Sequence, residues 1–351
     1  MSNIISPLKR VTVKASNEYQ ILIGRGLLAR AGELIADFIP KCKIALITDD
    51  TVDALYSGVV EKSLISSGYS VIKFVFSHGE QSKNLETYGK ILNFLAQNGV
   101  TRTDCVVALG GGVTGDMAGF VSATYLRGIK CVQMPTTLLA QIDSSVGGKT
   151  AVDLPAGKNL VGAFCQPKLV LCDVDTLSTL PDEIYRDGMG EVAKYALLDK
   201  KIYSLINGGD YQIEDLIYRC VDYKRQIVEK DEFEGGLRRL LNLGHTPAHG
   251  IERLSNYTIP HGKAVAMGLN IVVENACKHG YIAQSTKSEM LSAISKCAGE
   301  LTLPYSVKDI LENALTDKKR SGDSIAVIMP YGIGDAREVK IEVSKLWGYL
   351  T

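Results

Sequence analysis

The stretch "VVALGGGVTGD", Val106–Asp116, decides the fold. It opens as an apolar β-rich run and passes through Gly110, Gly112 and Gly115 into a segment of helical character. Strand, glycine turn and helix in that order form the first step of a parallel βαβ unit. Glycines let the backbone approach a pyrophosphate, and the free N–H groups at a helix start favour its charge. The dinucleotide fingerprint is nevertheless incomplete. It lies about a hundred residues into the chain rather than at the first strand, and no acidic residue follows at the usual spacing of ~20. A tight structural turn remains an alternative for these glycines taken alone.

Outward from that turn, β-rich runs alternate with helical periodicity as far as about Asp175: "RVTVKA", "YQILIG", "KIALITDD", "SVIKFVF", "KCVQMP" and "LVLCDVD". This predicts an α/β, Rossmann-like nucleotide-binding domain over residues 1–175, with helices on both faces of a parallel sheet. From Thr176 helical patterns dominate: Pro181–Leu198, Tyr211–Glu229, Thr246–Arg253, Gly262–Lys278 and Ser288–Cys297. A late pair, "SIAVIMP" and "REVKIEV", reads as a hairpin. Residues 176–351 are therefore expected to form a mostly α-helical domain, with ligands in a cleft between the two.

Composition narrows the function. The 351 residues suffice for two domains. Lys+Arg and Asp+Glu both number 39, with no block of like charge, so the basic footprint of a nucleic-acid binder is missing. The eight cysteines contain no C-x-x-C pair and mostly sit in apolar runs, as expected of reduced thiols in a cytoplasmic protein. "MSNIISPLKR" has no signal-peptide pattern, and no run of 18 apolar residues suggests a membrane span.

Polar candidates follow from position. Asp49 or Asp50, ending "KIALITDD", would stand at the carboxyl edge of the sheet, where ribose-binding carboxylates occur. Glu80 and Lys83 of "HGEQSKN" line the same edge after the next strand. "SSVGGKT" is not a P-loop, because Asp143 occupies the position of the required first glycine. Lys149 and Lys158 in "GGKTAVDLPAGKNL" read as lysines on glycine turns, suited to a phosphate or a hydroxylated anion.

Three of the five histidines lie within seventeen residues. His245 and His249 are spaced like a zincin pair, but Thr246 follows the first where glutamate is required, so the metalloprotease reading fails. Pro247 points to Thr246 as N-cap, with His245 just outside the helix and His249 inside its first turns, beside an anion site. His261 stands before another helical run. Two histidines at helix entrances plus one carboxylate would make an open three-ligand site. Glu191 in "DGMGEVAKYALL" could supply the carboxylate, since its apolar neighbours bury it together with Lys194.

These residues resemble the 3-dehydroquinate synthase family of the sugar-phosphate cyclase superfamily. The match runs through nearly the whole chain and is densest in "GGGVTGDMAGFVSATYLRGIKCVQMPTTLLAQIDSSVGGKTAVDLPAGKNLVGAF". The resemblance implies NAD bound by Asp49, Glu80, Lys83, Gly112, Val113, Thr114, Gly115, Asp116, Thr136, Thr137, Lys149, Lys158, Thr176 and Thr179. It implies zinc or cobalt on Glu191, His245 and His261. Substrate roles fall on Asp143, Lys149, Asn159, Lys194, Lys224, Arg238, Asn242, His249 and Lys318, with Lys319 an alternative to the last. Arg127 matches an arginine that reaches a neighbouring subunit's site, which implies a homodimer. Departures from the family pattern occur at Pro247, Ala248, Lys263 and His78, and none removes a ligand.

The activity so implied is conversion of a seven-carbon sugar-acid phosphate, 3-deoxy-D-arabino-heptulosonate 7-phosphate, to 3-dehydroquinate and phosphate in the shikimate pathway. The competing expectations are another sugar-phosphate cyclase, a metal-dependent polyol or glycerol-phosphate dehydrogenase, and an inactive NAD-binding regulator. Net NADH production separates the dehydrogenase. A lost ligand would mark the regulator, and none is lost.

Overall fold

Strands β3 (Lys43–Asp49) and β5 (Cys105–Gly110) sit side by side and parallel, with Asp49 and Asp50 at the carboxyl end of the first and the glycine turn at that of the second. The computed structural model describes residues 8–314, 320–321 and 324–342. The chain divides into two compact units, Met1–Leu180 with Lys224–Phe233, and Pro181–Tyr223 with Glu234–Thr351.

In the first unit the strands are β1 (Lys9–Lys14), β2 (Glu18–Gly24), β3, β4 (Ser70–Phe76), β5, β6 (Lys130–Pro135), β7 (Lys149–Leu154), β8 (Gly157–Phe164) and β9 (Leu169–Asp173). The helices are α1 (Ala31–Ala36), α2 (Asp50–Val52), α3 (Gly58–Ser66), α4 (Leu85–Gln97) and α5 (Gly112–Thr124). Seven strands form one sheet in the order β1-β2-β9-β6-β5-β3-β4, parallel except for the β1–β2 hairpin. Every residue of β5 is buried, because a parallel strand is covered on both faces. Its side chains alternate between two apolar clusters. Cys105, Val107 and Leu109 join Leu34, Ile35, Val60 and Leu64 of α1 and α3, whereas Val106 and Ala108 join Ile91, Leu95, Met117 and Val121 of α4 and α5.

The strand order explains the displaced glycine turn. Among the parallel strands the chain steps from β3 outward to β4, then returns past β3 to β5 and on to β6 and β9. The topological switch point therefore lies between β3 and β5, where ligands of doubly wound sheets bind. Asp49 and Gly110–Gly112 stand at that point.

The hairpin of β7 and β8 is a correction to the sequence reading, which placed Lys149 and Lys158 in glycine turns. Lys149 opens β7 and Lys158 is the second residue of β8. Glycine, proline and aspartate masked the strand signal, but Val152 is fully buried against α5, and a Cβ on Gly119 would meet Thr150 Cγ2 at 2.4 Å.

The second unit contains α6 (Asp182–Leu198), α7 (Lys200–Gly208), the start of α8 (Ile213–Lys230), α9 (His245–Leu254), α10 (His261–Lys278), α11 (Gln284–Ala298) and α12 (Val307–Ala314). A small antiparallel sheet adds β10 (Arg320–Ser321), β11 (Ser324–Gly332) and β12 (Asp335–Glu342), which contains the expected late hairpin. None of the described helices is long and apolar enough to cross a membrane.

Candidate metal centre and cofactor-binding edge

In the second unit, α6 and α10 approach backbone to backbone through two glycines. A Cβ on Gly190 would lie 2.0 Å from Gly262 O, and one on Gly262 would lie 1.8 Å from Asp187 O. Asp187 Oδ1 also accepts from Lys263 N at 3.1 Å, so α6 caps the start of α10. A second close approach sets α9 against α10, where a Cβ on Gly268 would meet Gly244 O at 2.1 Å. "DGMGE", "LGH" and "HGK" thus carry the glycines that let three helices bring Glu191, His245 and His261 together.

The start of α9 differs from the sequence reading. His245 is the first helical residue and Gly244, at φ 79°, precedes it as N-cap in place of Thr246. Pro247 is then the third residue, which is tolerated because the first N–H groups of a helix have no partner within it. Glycine suits the left-handed φ at 244 without strain, and a Cβ there would meet Leu269 at 2.9 Å. His261 likewise begins α10 rather than preceding it.

Ligand atoms of Glu191, His245 and His261 all lie within 4.8 Å of one another. Glu191 Oε1 is 3.3 Å from His245 Nε2 and 3.1 Å from His261 Nε2. The outer ring nitrogens are also engaged. His245 Nδ1 lies 3.2 Å from Leu243 O, and His261 Nδ1 lies 3.2 Å from Glu252 Oε1. A carbonyl can only accept, so His245 must donate from Nδ1 and its Nε2 lone pair faces Glu191. A lone pair opposed to a carboxylate needs a cation between them. Two imidazoles oriented by outer-ring hydrogen bonds, with one carboxylate, form the donor set of a divalent metal.

Burial and close charges perturb all three groups. Burial pushes His245 down to about 4. For His261 burial is outweighed by the hydrogen bonds to Glu191 and Glu252, which push it up to about 10. Burial would raise Glu191, but Lys194, with His245, holds it well below the usual carboxylate range. Lys194 Nζ stands 2.6 Å from Glu191 Oε2 without hydrogen-bond alignment, and both side chains are at least 97% buried. A buried ion pair is costly to desolvate and weak evidence of stability, so its presence here points to chemistry.

Just before α9, Asn242 donates from Nδ2 to Glu234 Oε1 at 2.9 Å. Arg238 is 1% exposed in the turn before α9. The half-buried ring of His249 stands perpendicular to that of His245, with centroids 5.9 Å apart. Lys318 and Lys319 lie outside the described residues. Glu234, Asp187 and Glu252 escaped the sequence reading. Glu252 had a signal, since it follows His245 by two helical turns and so shares a face with it.

In the first unit, the N–H groups of Gly112, Val113 and Thr114 open α5 at the switch point. Gly115 permits tight packing, because a Cβ there would meet Gln133 Oε1 of β6 at 2.8 Å. Asp49 Oδ1 accepts from Thr51 N and Val52 N, and its Oδ2 accepts from Thr114 Oγ1 at 3.2 Å, joining the ends of β3 and α5. Asp50 instead pairs with His78 at 2.7 Å and is lowered by that bond. Among the described residues the buried hydroxyl of Thr136 has no hydrogen-bond partner, and Thr137 packs its methyl on Gly111. An orphaned hydroxyl beside free helix-start amides fits a polar ligand such as a dinucleotide. The hydroxyl of Thr176 is committed within the protein, to Gln141 and Asp173 O, and that of Thr179 to Tyr56 at 2.5 Å.

Buried Lys83 is the hub of a polar cluster. Its Nζ lies 2.6 Å from Asp116 Oδ2, 2.6 Å from Asn159 Oδ1 and 3.8 Å from Glu80 Oε1. Burial disfavours its charge, yet Asp116 and Glu80 outweigh that and raise it. Burial raises Asp116, with Lys83 opposing. Asn159, at φ 54°, is pinned by its N–H to Asp153 Oδ1 at 2.7 Å, and Lys158 reaches Glu80 at 3.8 Å. Lys149 is exposed, Lys224 forms an ion pair with Asp143, and Arg127 is exposed on a turn with φ 65°.

Residues 73–187 match the family model for the 3-dehydroquinate synthase N-terminal domain, and residues 188–320 match that for its C-terminal domain. A curated 3-dehydroquinate synthase of Streptococcus suis is 40% identical over 356 residues, covering 97% of this chain and 99% of that protein. One from Streptococcus thermophilus is 42% identical over 344 residues, covering 95% and 97%. Among solved structures, 2-epi-5-epi-valiolone synthase from Streptomyces hygroscopicus, with NAD+ and Zn2+ bound, superposes with a TM-score of 0.85 at 26% identity, covering 97% and 98%.

Proposed function

The chain belongs to the 3-dehydroquinate synthase family, and we propose that its residues perform that family's reaction, releasing phosphate from 3-deoxy-D-arabino-heptulosonate 7-phosphate to form 3-dehydroquinate. The reaction is a carbon–oxygen elimination followed by ring closure. The observation that carries the proposal is the convergence of Glu191, His245 and His261 within 4.8 Å, with both outer ring nitrogens already engaged.

Glu191 and the two Nε2 atoms would hold a zinc or cobalt ion. The amides of Gly112–Thr114, the hydroxyl of Thr136 and the Asp49 carboxylate would hold NAD, with Glu80, Lys83, Gly115, Asp116, Thr137, Lys149, Lys158, Thr176 and Thr179 around it. When bound, these groups supply polarisation of the substrate's C5 hydroxyl and a reversible hydride acceptor for that carbon.

The chain's own residues do the remaining work. Oxidation at C5 acidifies the C6 proton, and a phosphate oxygen of the substrate takes that proton as the C–O bond to phosphate breaks. Lys149, Asn159, Arg238, His249 and Lys318 hold the phosphate in reach, since several cations are needed to orient a dianion. Lys194, buried beside Glu191, and Asn242 orient substrate hydroxyls, while the Asp143–Lys224 pair supplies a fixed cation. Ring opening and aldol closure follow reduction of C5. We further propose a cytoplasmic homodimer in which Arg127 reaches the neighbouring subunit.

The test is to supply purified protein with the substrate, NAD and Co2+ or Zn2+. Phosphate release with no net NADH is expected. Sustained NADH accumulation would instead establish a dehydrogenase.

A further inference from the structure

Glu252 is a buried carboxylate two helical turns beyond His245 on α9, 5% exposed. Burying a carboxylate is costly unless it is paired, so its partner is informative. Its Oε1 faces His261 Nδ1 at 3.2 Å, while His261 Nε2 faces Glu191 at 3.1 Å. The imidazole is thus held between two carboxylates, one on each nitrogen. His245 meets only a neutral carbonyl on its outer nitrogen.

Glu252 also controls the backbone that delivers His261. Its carbonyl accepts Tyr257 N at 2.7 Å and Ser255 Oγ at 2.9 Å. The loop between α9 and α10 turns on Asn256 at φ 50° and Tyr257 at φ 60°, a conformation that costs a non-glycine residue about 1 kcal/mol or more and persists only when surrounding contacts hold it. Four residues after Tyr257, His261 begins α10. One residue therefore sets both the position of the loop and the rotation of the ring.

From this geometry we infer that Glu252 is a positioning residue for the metal. It fixes the proton of His261 on Nδ1, turns Nε2 toward Glu191, and through its charge makes that nitrogen the stronger donor of the two. The inference deepens the functional reading above and rests on it. Outer partners of metal-bound histidines typically change metal affinity by about 10- to 100-fold when removed. In sequence Glu252 shares a helical face with His245, but that spacing does not reveal that its partner is His261 on α10.

The test compares the unaltered protein with Glu252→Gln and Glu252→Ala, each stripped of metal and titrated with Co2+, reading the visible d–d bands, and with Zn2+ against a chromophoric chelator. The unaltered protein should bind one ion. Glu252→Gln keeps an acceptor oxygen and loses the charge, so it should bind about 10-fold more weakly, with altered Co2+ bands. Glu252→Ala should lose about 100-fold. Equal affinity and identical Co2+ bands in the unaltered protein and Glu252→Gln would overturn the inference while leaving the metal site intact. Absence of Co2+ or Zn2+ binding by the unaltered protein would overturn the functional reading itself. If Glu252→Ala does not fold, Glu252→Gln decides alone, and thermal unfolding of the metal-free forms confirms that it folds.

Discussion

Replacing Gly262 by alanine tests whether the metal centre depends on the approach of α6 to α10. The added Cβ would lie 1.8 Å from Asp187 O and 2.8 Å from Asp187 C, both rigid backbone atoms. To reach even the shortest contact a Cβ tolerates, about 3.0 Å, the two helices must part by about 1.2 Å at this point. Overpacking of this kind typically costs about 1–3 kcal/mol, which a two-unit enzyme can survive. The metal cannot tolerate the same shift. Ligand distances hold within about 0.2 Å, and His261 is the residue immediately before the substitution, on the helix that moves. Gly262→Ala should therefore fold with a lowered melting temperature but lose metal affinity by far more than the stability change would suggest. Gly89 provides the control, because a Cβ there meets nothing within 4 Å on α4. Gly89→Ala should leave metal binding unchanged and raise stability by about 0.5–1 kcal/mol. Both are read by metal analysis after dialysis and by thermal unfolding. A Gly262→Ala protein that retains one tightly bound ion would refute the dependence on this approach.

Other outcomes follow from single contacts. His245→Ala should abolish metal binding and turnover, whereas His249→Ala should keep the metal and lose activity through the phosphate; equal metal loss in both, measured by atomic absorption, would remove the division of roles. Thr136→Val deletes the orphaned buried hydroxyl, so the ligand-free protein should keep or gain stability while NAD binds about 5-fold more weakly, as calorimetry would report. Asp104 accepts from Lys43 N, Thr101 N and Thr101 Oγ1 at 2.7–2.8 Å. Burial would raise its carboxyl, but these bonds outweigh it and hold it below the ordinary value. Asp104→Ala should cost about 3 kcal/mol at neutral pH, near 1 for each lost bond. Because the folded value is the lower one, the part of this contribution that depends on the charge is complete above about pH 4 and fades as pH falls through the folded value. The gap between the denaturant midpoints of the two proteins should narrow in acid, and a gap that does not narrow there would contradict the assignment.

Much of this protein is written locally. The β5 to α5 turn, the alternating runs and the later helical periods follow from short-range chemistry, so the α/β unit and the helical character of the second were legible, and "GGGVTGD" together with Glu191, His245 and His261 carried the family. Local rules failed where a distant segment supplies the reason. The β7–β8 hairpin needs α5 to bury Val152, and helix α9 starts at His245 because Gly244 packs on α10 and Leu269. The place of the glycine turn made sense only with the strand order, since a switch point is a property of the assembled sheet. Spacing could list three metal ligands but not orient them. The lone pair of His261 acquires its direction from Glu252, a contact that exists only once α9 and α10 are packed, whereas His245 is oriented by Leu243 O two residues before it. Sequence alone thus determined which groups are present, and tertiary structure determined where their protons and lone pairs point, because that depends on neighbours brought from elsewhere in the chain.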